Sequence, residues 1–145
     1  MNQYGDISSV QGAISHMRQI KSGTYTGLAL QMARKKMFSS RSGRRSSTNS
    51  VAILITDGSA RDYSIALKES VALKKMGVKI MIVGLGKSGT VKTFVSQLRK
   101  LSSYPWKDHV FTLQFNQLVG IQKLLAQKTC GCKSSISLFM SVYVF

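Results

Sequence analysis

The chain has 145 residues, which gives room for one domain around one hydrophobic core. Hydrophobic residues make up 43% and charged residues 18%, a globular balance that excludes a disordered chain. Twenty-one basic residues stand against five acidic ones, so the formal net charge of +16 favours polyanionic partners such as sulfated glycans, nucleic acid or anionic membrane.

The first sixteen residues, MNQYGDISSVQGAISH, carry no basic n-region and no apolar h-region, so no signal peptide is expected in this chain. No stretch reaches the roughly 20 apolar residues of a membrane span. Ile7, Val10, Ile14 and Met17 fall at helical spacing behind Asp6, which is placed as an N-cap. A loop, IKSGTYTG, leads to a helix predicted over Leu28–Phe38, with its cations in the last turns, where the macrodipole favours them. SSRSGRRSSTNS reads as a polar loop. SVAILITDG is a strand that ends in Asp57, and SARDYSIALKESVALKKMG is a helix closed by Gly77.

The alternation then repeats. VKIMIVGLG reads as a strand, TVKTFVSQLRKLSS as a helix, DHVFTLQF as a strand and NQLVGIQKLLAQK as a helix capped by Asn116. Strands apolar on both faces, alternating with helices, predict an α/β fold: a partial doubly wound, Rossmann-like parallel sheet flanked by helices. The uncharged stretch from Ile136 to Phe145 breaks this pattern and reads as an extra strand or an aggregation-prone end.

Among the motifs, Gly84, Gly86 and Gly89 fit G-x-G-x-x-G between a strand and a helix. The acid that should hold a ribose at the end of the next strand is missing, because Asp108 precedes that strand. A P-loop fails as well, since Met81 stands where its first glycine belongs. His16 and His109 have no nucleophile at a telling position, which leaves covalent catalysis without a constellation. Cys130 and Cys132 are too close in sequence for an unstrained mutual disulfide. They read as partners for cysteines outside the chain or as free thiols, and they lack the companions of a zinc site.

Arg34, Lys35, Lys36, Arg41, Arg44 and Arg45 form a basic cluster. A solvated helix end and loop explain it first, and a polyanion site second. Only Phe38 interleaves with the cluster, so base stacking and specific nucleic-acid recognition are not indicated. Asp57 stands where open α/β sheets bind ligands, and the hydroxyl-rich GTYTG loop is its expected neighbour. Oxygen donors in that setting suit a hard divalent cation, although a helix-capping acid explains Asp57 about as well.

GTYTGLAL, VAILITDGSARD, GVKIMIVGLG and DHVFTLQFNQL occur in the order and spacing of the von Willebrand factor A domain. The resemblance covers about residues 2 to 130 and is greatest to the A domains of collagen VI-type chains and matrilins. It implies a domain at 1–130 followed by an apolar tail at 131–145. It also implies a non-enzymatic adhesion module of the extracellular matrix, secreted, with matrix proteins such as collagens or cell-surface receptors as partners. The family's metal-ion-dependent adhesion site, carried over, matches Thr24 and Asp57 as ligands of Mg2+ or Mn2+. The D-x-S-x-S ligands and the family's N-terminal strands have no counterpart in this chain, so the site is expected to be incomplete and metal binding weak or absent. The alternatives are an inactive partial gene product and a nucleotide-binding enzyme fragment.

Overall fold

Three apolar segments lie side by side as parallel strands: β1 (Ser50–Thr56), β2 (Val78–Leu85) and β3 (Val110–Leu113). A fourth, β4 (Val142–Val144), pairs in parallel with β1 and sets the order β3-β2-β1-β4. This computed structural model describes residues 5–18, 23–42, 49–86, 92–130 and 142–144. β2 is buried along its length except at Lys79, as the apolar run from Ile80 to Leu85 requires.

The helices are α1 (Ile7–Ser15), α2 (Thr26–Met32), α3 (Tyr63–Lys75), α4 (Lys92–Leu101) and α5 (Ile121–Cys130). Leu30 of α2, Ala66 and Leu73 of α3, and Phe94, Leu98 and Leu101 of α4 pack with Leu54, Ile80 and Ile82 on one face of the sheet. On the opposite face Ile121 and Leu125 of α5 pack with Ile53, Met81, Val83 and Leu85. The expected doubly wound, parallel architecture is therefore present.

Several boundaries differ from the local pattern. The second helix begins at Thr26, two residues earlier than its apolar spacing suggests, and runs on as a π-helical turn over Ala33–Met37. The third begins at Tyr63, because Ser59–Asp62 are used in the loop after β1. The last α-helix begins at Ile121 behind a 3-10 segment, Phe115–Gly120, so Asn116 is not its cap. Glycine at position 120 weakens helical continuity at that junction. Two helix ends follow the local pattern closely. The Asp6 carboxylate accepts from Ser9 N at 2.8 Å and caps α1. Gly77, at φ +77°, closes α3 in the left-handed region.

Lys74 fastens α3 to α4. Its Nζ donates to the carbonyls of Lys100, Leu101 and Ser102 at 3.1–3.4 Å, where a helix end leaves acceptors unsatisfied. Gly84 lets α4 approach the sheet: a Cβ there would lie 2.5 Å from Leu98 Cδ1. This glycine of the G-x-G-x-x-G match thus serves helix–strand packing. Gly89 lies outside the described residues.

Candidate functional site

The site is built at the carboxyl end of β1. Thr56 is buried, and its hydroxyl donates to the Gly58 carbonyl at 3.0 Å. This local turn ends the strand and leaves Asp57 exposed above the sheet edge.

The loop that carries Thr24 is fixed to this turn from two directions. Arg61 N donates to the Thr24 carbonyl at 2.9 Å. The Asp62 carboxylate accepts from Gly27 N and Leu28 N, each at 2.9 Å, and so caps the first turn of α2 from the far side of the sequence. Gly27 is required by this approach, since a Cβ would come within 2.6 Å of Ala66 N. A Cβ at Gly58 would lie 3.6 Å from Thr24 Oγ1, so the threonine hydroxyl stands beside the residue that follows Asp57. The Arg61 side chain crosses over Gly23, where a Cβ would meet its Nε at 2.8 Å.

The two sequence-predicted ligands thus share one edge of the sheet. Together they offer one carboxylate and one hydroxyl. Among the described residues no group of three or more His, Cys, Asp or Glu side chains is arranged to hold a metal. Magnesium requires near-octahedral oxygen coordination, and these two donors leave most of it unfilled. The residues described do not by themselves fit a tightly held divalent ion.

The basic cluster divides. Arg34 is engaged by the buried Glu69, with Nε–Oε2 at 2.5 Å and Nη2–Oε1 at 3.2 Å. Gln31 also donates to Glu69, at 3.3 Å. The Arg34 guanidinium holds the Glu69 carboxyl below the ordinary glutamate value, against the opposing effect of burial. Lys35, Lys36 and Arg41 are exposed. Arg44, Arg45 and Cys132 lie outside the described residues.

Neither histidine joins the site. His16 is exposed at the end of α1, with Nδ1 2.7 Å from the Gly12 carbonyl. His109 is buried, with Nδ1 2.9 Å from the Pro105 carbonyl. The residue that sequence reasoning missed is Asp62. Read locally, it precedes α3 and looks like an ordinary cap. Its actual partners lie 34 and 35 positions away, and no local pattern reports them.

Residues 1–125 match the von Willebrand factor type A domain. The chain is 32% identical to mouse matrilin-2 over 127 residues, 85% of this chain and 13% of that protein. It is also 32% identical to human matrilin-1 over 132 residues, 90% of this chain and 25% of that protein. It therefore spans a quarter or less of the length of these relatives. Among solved structures, proximal thread matrix protein 1 from the mussel byssus superposes with a TM-score of 0.77 at 27% identity, covering 89% of this chain and 32% of that one. The same protein is also solved with a zinc-occupied MIDAS motif. The chain belongs to the von Willebrand factor type A domain family.

Proposed function

We propose that the chain is a non-enzymatic protein-binding module of an extracellular-matrix protein, whose metal-ion-dependent adhesion site is incomplete. One observation carries the reading: the Thr24 loop and the turn after β1 are pinned together at the carboxyl edge of a parallel sheet, where open α/β folds bind their ligands. The likeness to matrilins and to a byssal matrix protein supports a matrix location and protein partners. Collagens and cell-surface receptors are the partner classes proposed. The module occupies 1–130, and 131–145 is an appended apolar segment.

Thr24 and Asp57 act as half of the adhesion site. Mg2+ or Mn2+ binds appreciably only if further oxygen donors are supplied. Lys35, Lys36 and Arg41, joined by Arg44 and Arg45, are the proposed contacts for sulfated glycans. Arg34 contributes less, because Glu69 already engages it.

Binding to immobilised collagens and to heparin tests the proposal. Collagen binding by the chain is expected to persist in a chelator. No binding to any matrix protein or cell surface would overturn the reading. Heparin retention is expected to fall steeply with salt, because counterion release dominates such contacts.

A second reading, a partial product with no activity of its own, is favoured by the uncovered apolar face of α1. Ile7 and Ile14 of α1, and Met17 just beyond its end, are 74%, 53% and 67% exposed. Detection of the polypeptide in extracellular matrix or culture medium by mass spectrometry argues against it.

A further inference from the structure

The chain's one tryptophan, Trp106, lies under two cations. The Arg99 guanidinium stands 3.9 Å from its ring centroid, and Lys107 Nζ stands 5.9 Å from it. The ring thus holds two like charges within about one Debye length, roughly 10 Å at 0.1 M salt, where they repel. Arg99 and Lys107 are exposed, and neither pairs with a carboxylate among the described residues. Asp108, the acid beside Lys107, is engaged by Lys128. Arg99 and Lys100 lie in the last turn of α4, where cations ordinarily answer the terminal carbonyls. Here Lys74 already donates to the carbonyls of Lys100, Leu101 and Ser102. Ser103 then exchanges two hydrogen bonds with Ile80: Ser103 N donates to the Ile80 carbonyl and Ile80 N to Ser103 Oγ, each at 2.9 Å. This sets the exposed Lys79 beside the same segment, at the amino end of β2. Tyr104, 90% exposed, follows directly.

We propose that Lys79, Arg99, Lys100 and Lys107, around Trp106 and Tyr104, form a binding surface for sulfated glycans at the amino end of the sheet, opposite Asp57. A group of like charges with no free acid beside it is stabilised by a polyanion, which releases its own counterions on binding. Stacking on Trp106 fixes the guanidinium plane of Arg99, so less freedom is lost when its N–H groups donate to a sulfate. The aromatic pattern disfavours nucleic acid, because Arg99 covers the Trp106 ring and base stacking needs open rings in succession. The choice of a glycan among polyanions rests on the extracellular-matrix reading, whereas the placement of the cations does not. This surface is separate from Lys35, Lys36 and Arg41, which lie in the turns after α2.

Trp106 gives a local readout, since no other tryptophan contributes to the emission. The full chain is titrated with a heparin oligosaccharide of defined length, followed by tryptophan emission and by calorimetry. Emission is expected to change saturably in step with the heat of binding, and desulfated heparin is expected to leave it unchanged. The double variant Arg99→Gln, Lys107→Gln is expected to bind heparin about tenfold more weakly, with a slope of log affinity against log salt smaller by about 1.5. The pair Lys68→Gln, Lys123→Gln removes the same charge from exposed positions elsewhere and is expected to change affinity by less than about twofold. Heparin that binds without changing the emission overturns the proposal. So does equal weakening in the two variant pairs, or tighter binding of a single-stranded oligonucleotide of matched charge than of heparin. Collagen binding is measured separately. A chain that binds collagen and no heparin overturns this surface alone, and one that binds heparin here but no matrix protein removes the matrix reading and keeps the surface.

Discussion

The two faces of the sheet are built from similar sequence patterns and end in different states. On one face α2, α3 and α4 seal the strands, and Ala66, Leu73, Ile80 and Ile82 have no solvent exposure. On the other, α5 covers Ile53 and Val83, while Val51 and Ile55 of β1 are half-buried. α1 shows helical apolar spacing, as α4 does, yet α1 buries none of its residues and α4 buries Phe94, Leu98 and Leu101. An amphipathic pattern states what a helix can bury. The neighbouring element decides whether it does, and so where the stability lies.

Substitutions on the two faces sharpen this contrast. The largest effect is expected for Leu73→Ala, at about 2–5 kcal/mol of destabilisation from a fully packed position. Urea denaturation measures it. A loss below about 1 kcal/mol would mean that the sealed face does not dominate stability.

Glu69→Ala comes next, at about 2 kcal/mol, because it removes charge-assisted hydrogen bonds from a buried carboxylate. Its pH signature has a definite sign. The lowered Glu69 value means that the folded state binds fewer protons than the unfolded state as pH falls. The contribution is whole above the ordinary glutamate value, about 4.3, and is lost as pH drops through the lowered folded value. Urea midpoints taken from about pH 6 down to pH 3 are expected to fall more steeply in the wild-type chain than in Glu69→Gln.

Asp62→Ala is expected to cost about 1 kcal/mol, the usual loss of a helix cap, and to loosen the Thr24 loop. Amide exchange at Gly27 and Leu28 reads it directly. The smallest effect belongs to Ile14→Ala on α1, within about 0.5 kcal/mol. A cost comparable to Leu73→Ala would show that α1 is packed in solution and would erase the contrast.

Much of this was legible along the chain. β1 and β2 were evident from the apolar runs Val51–Ile55 and Ile80–Leu85, α1 from Asp6 and its spacing, and the end of α3 from Gly77, because each signal lies within a few residues of its effect. The start of α2 was not legible, since the group that caps it belongs to Asp62 on another loop. Arg34 read as one more surface cation, because its partner Glu69 is 35 positions away. The expectation that Thr24 and Asp57 share one end of the sheet rested on the order of whole motifs rather than any local spacing. The placement of the Thr24 loop depends on how α2 sits against α3, which only the packed structure determines.

We propose that Asp57 and Thr24 stand at a ligand-binding edge of the sheet without completing a metal site. Calorimetric titration of the full chain with MgCl2 and then MnCl2 tests it most directly. No saturable binding with micromolar affinity is expected for either ion, and Asp57→Ala should leave both titrations unchanged. A micromolar isotherm with one ion per chain that disappears in Asp57→Ala would contradict the account.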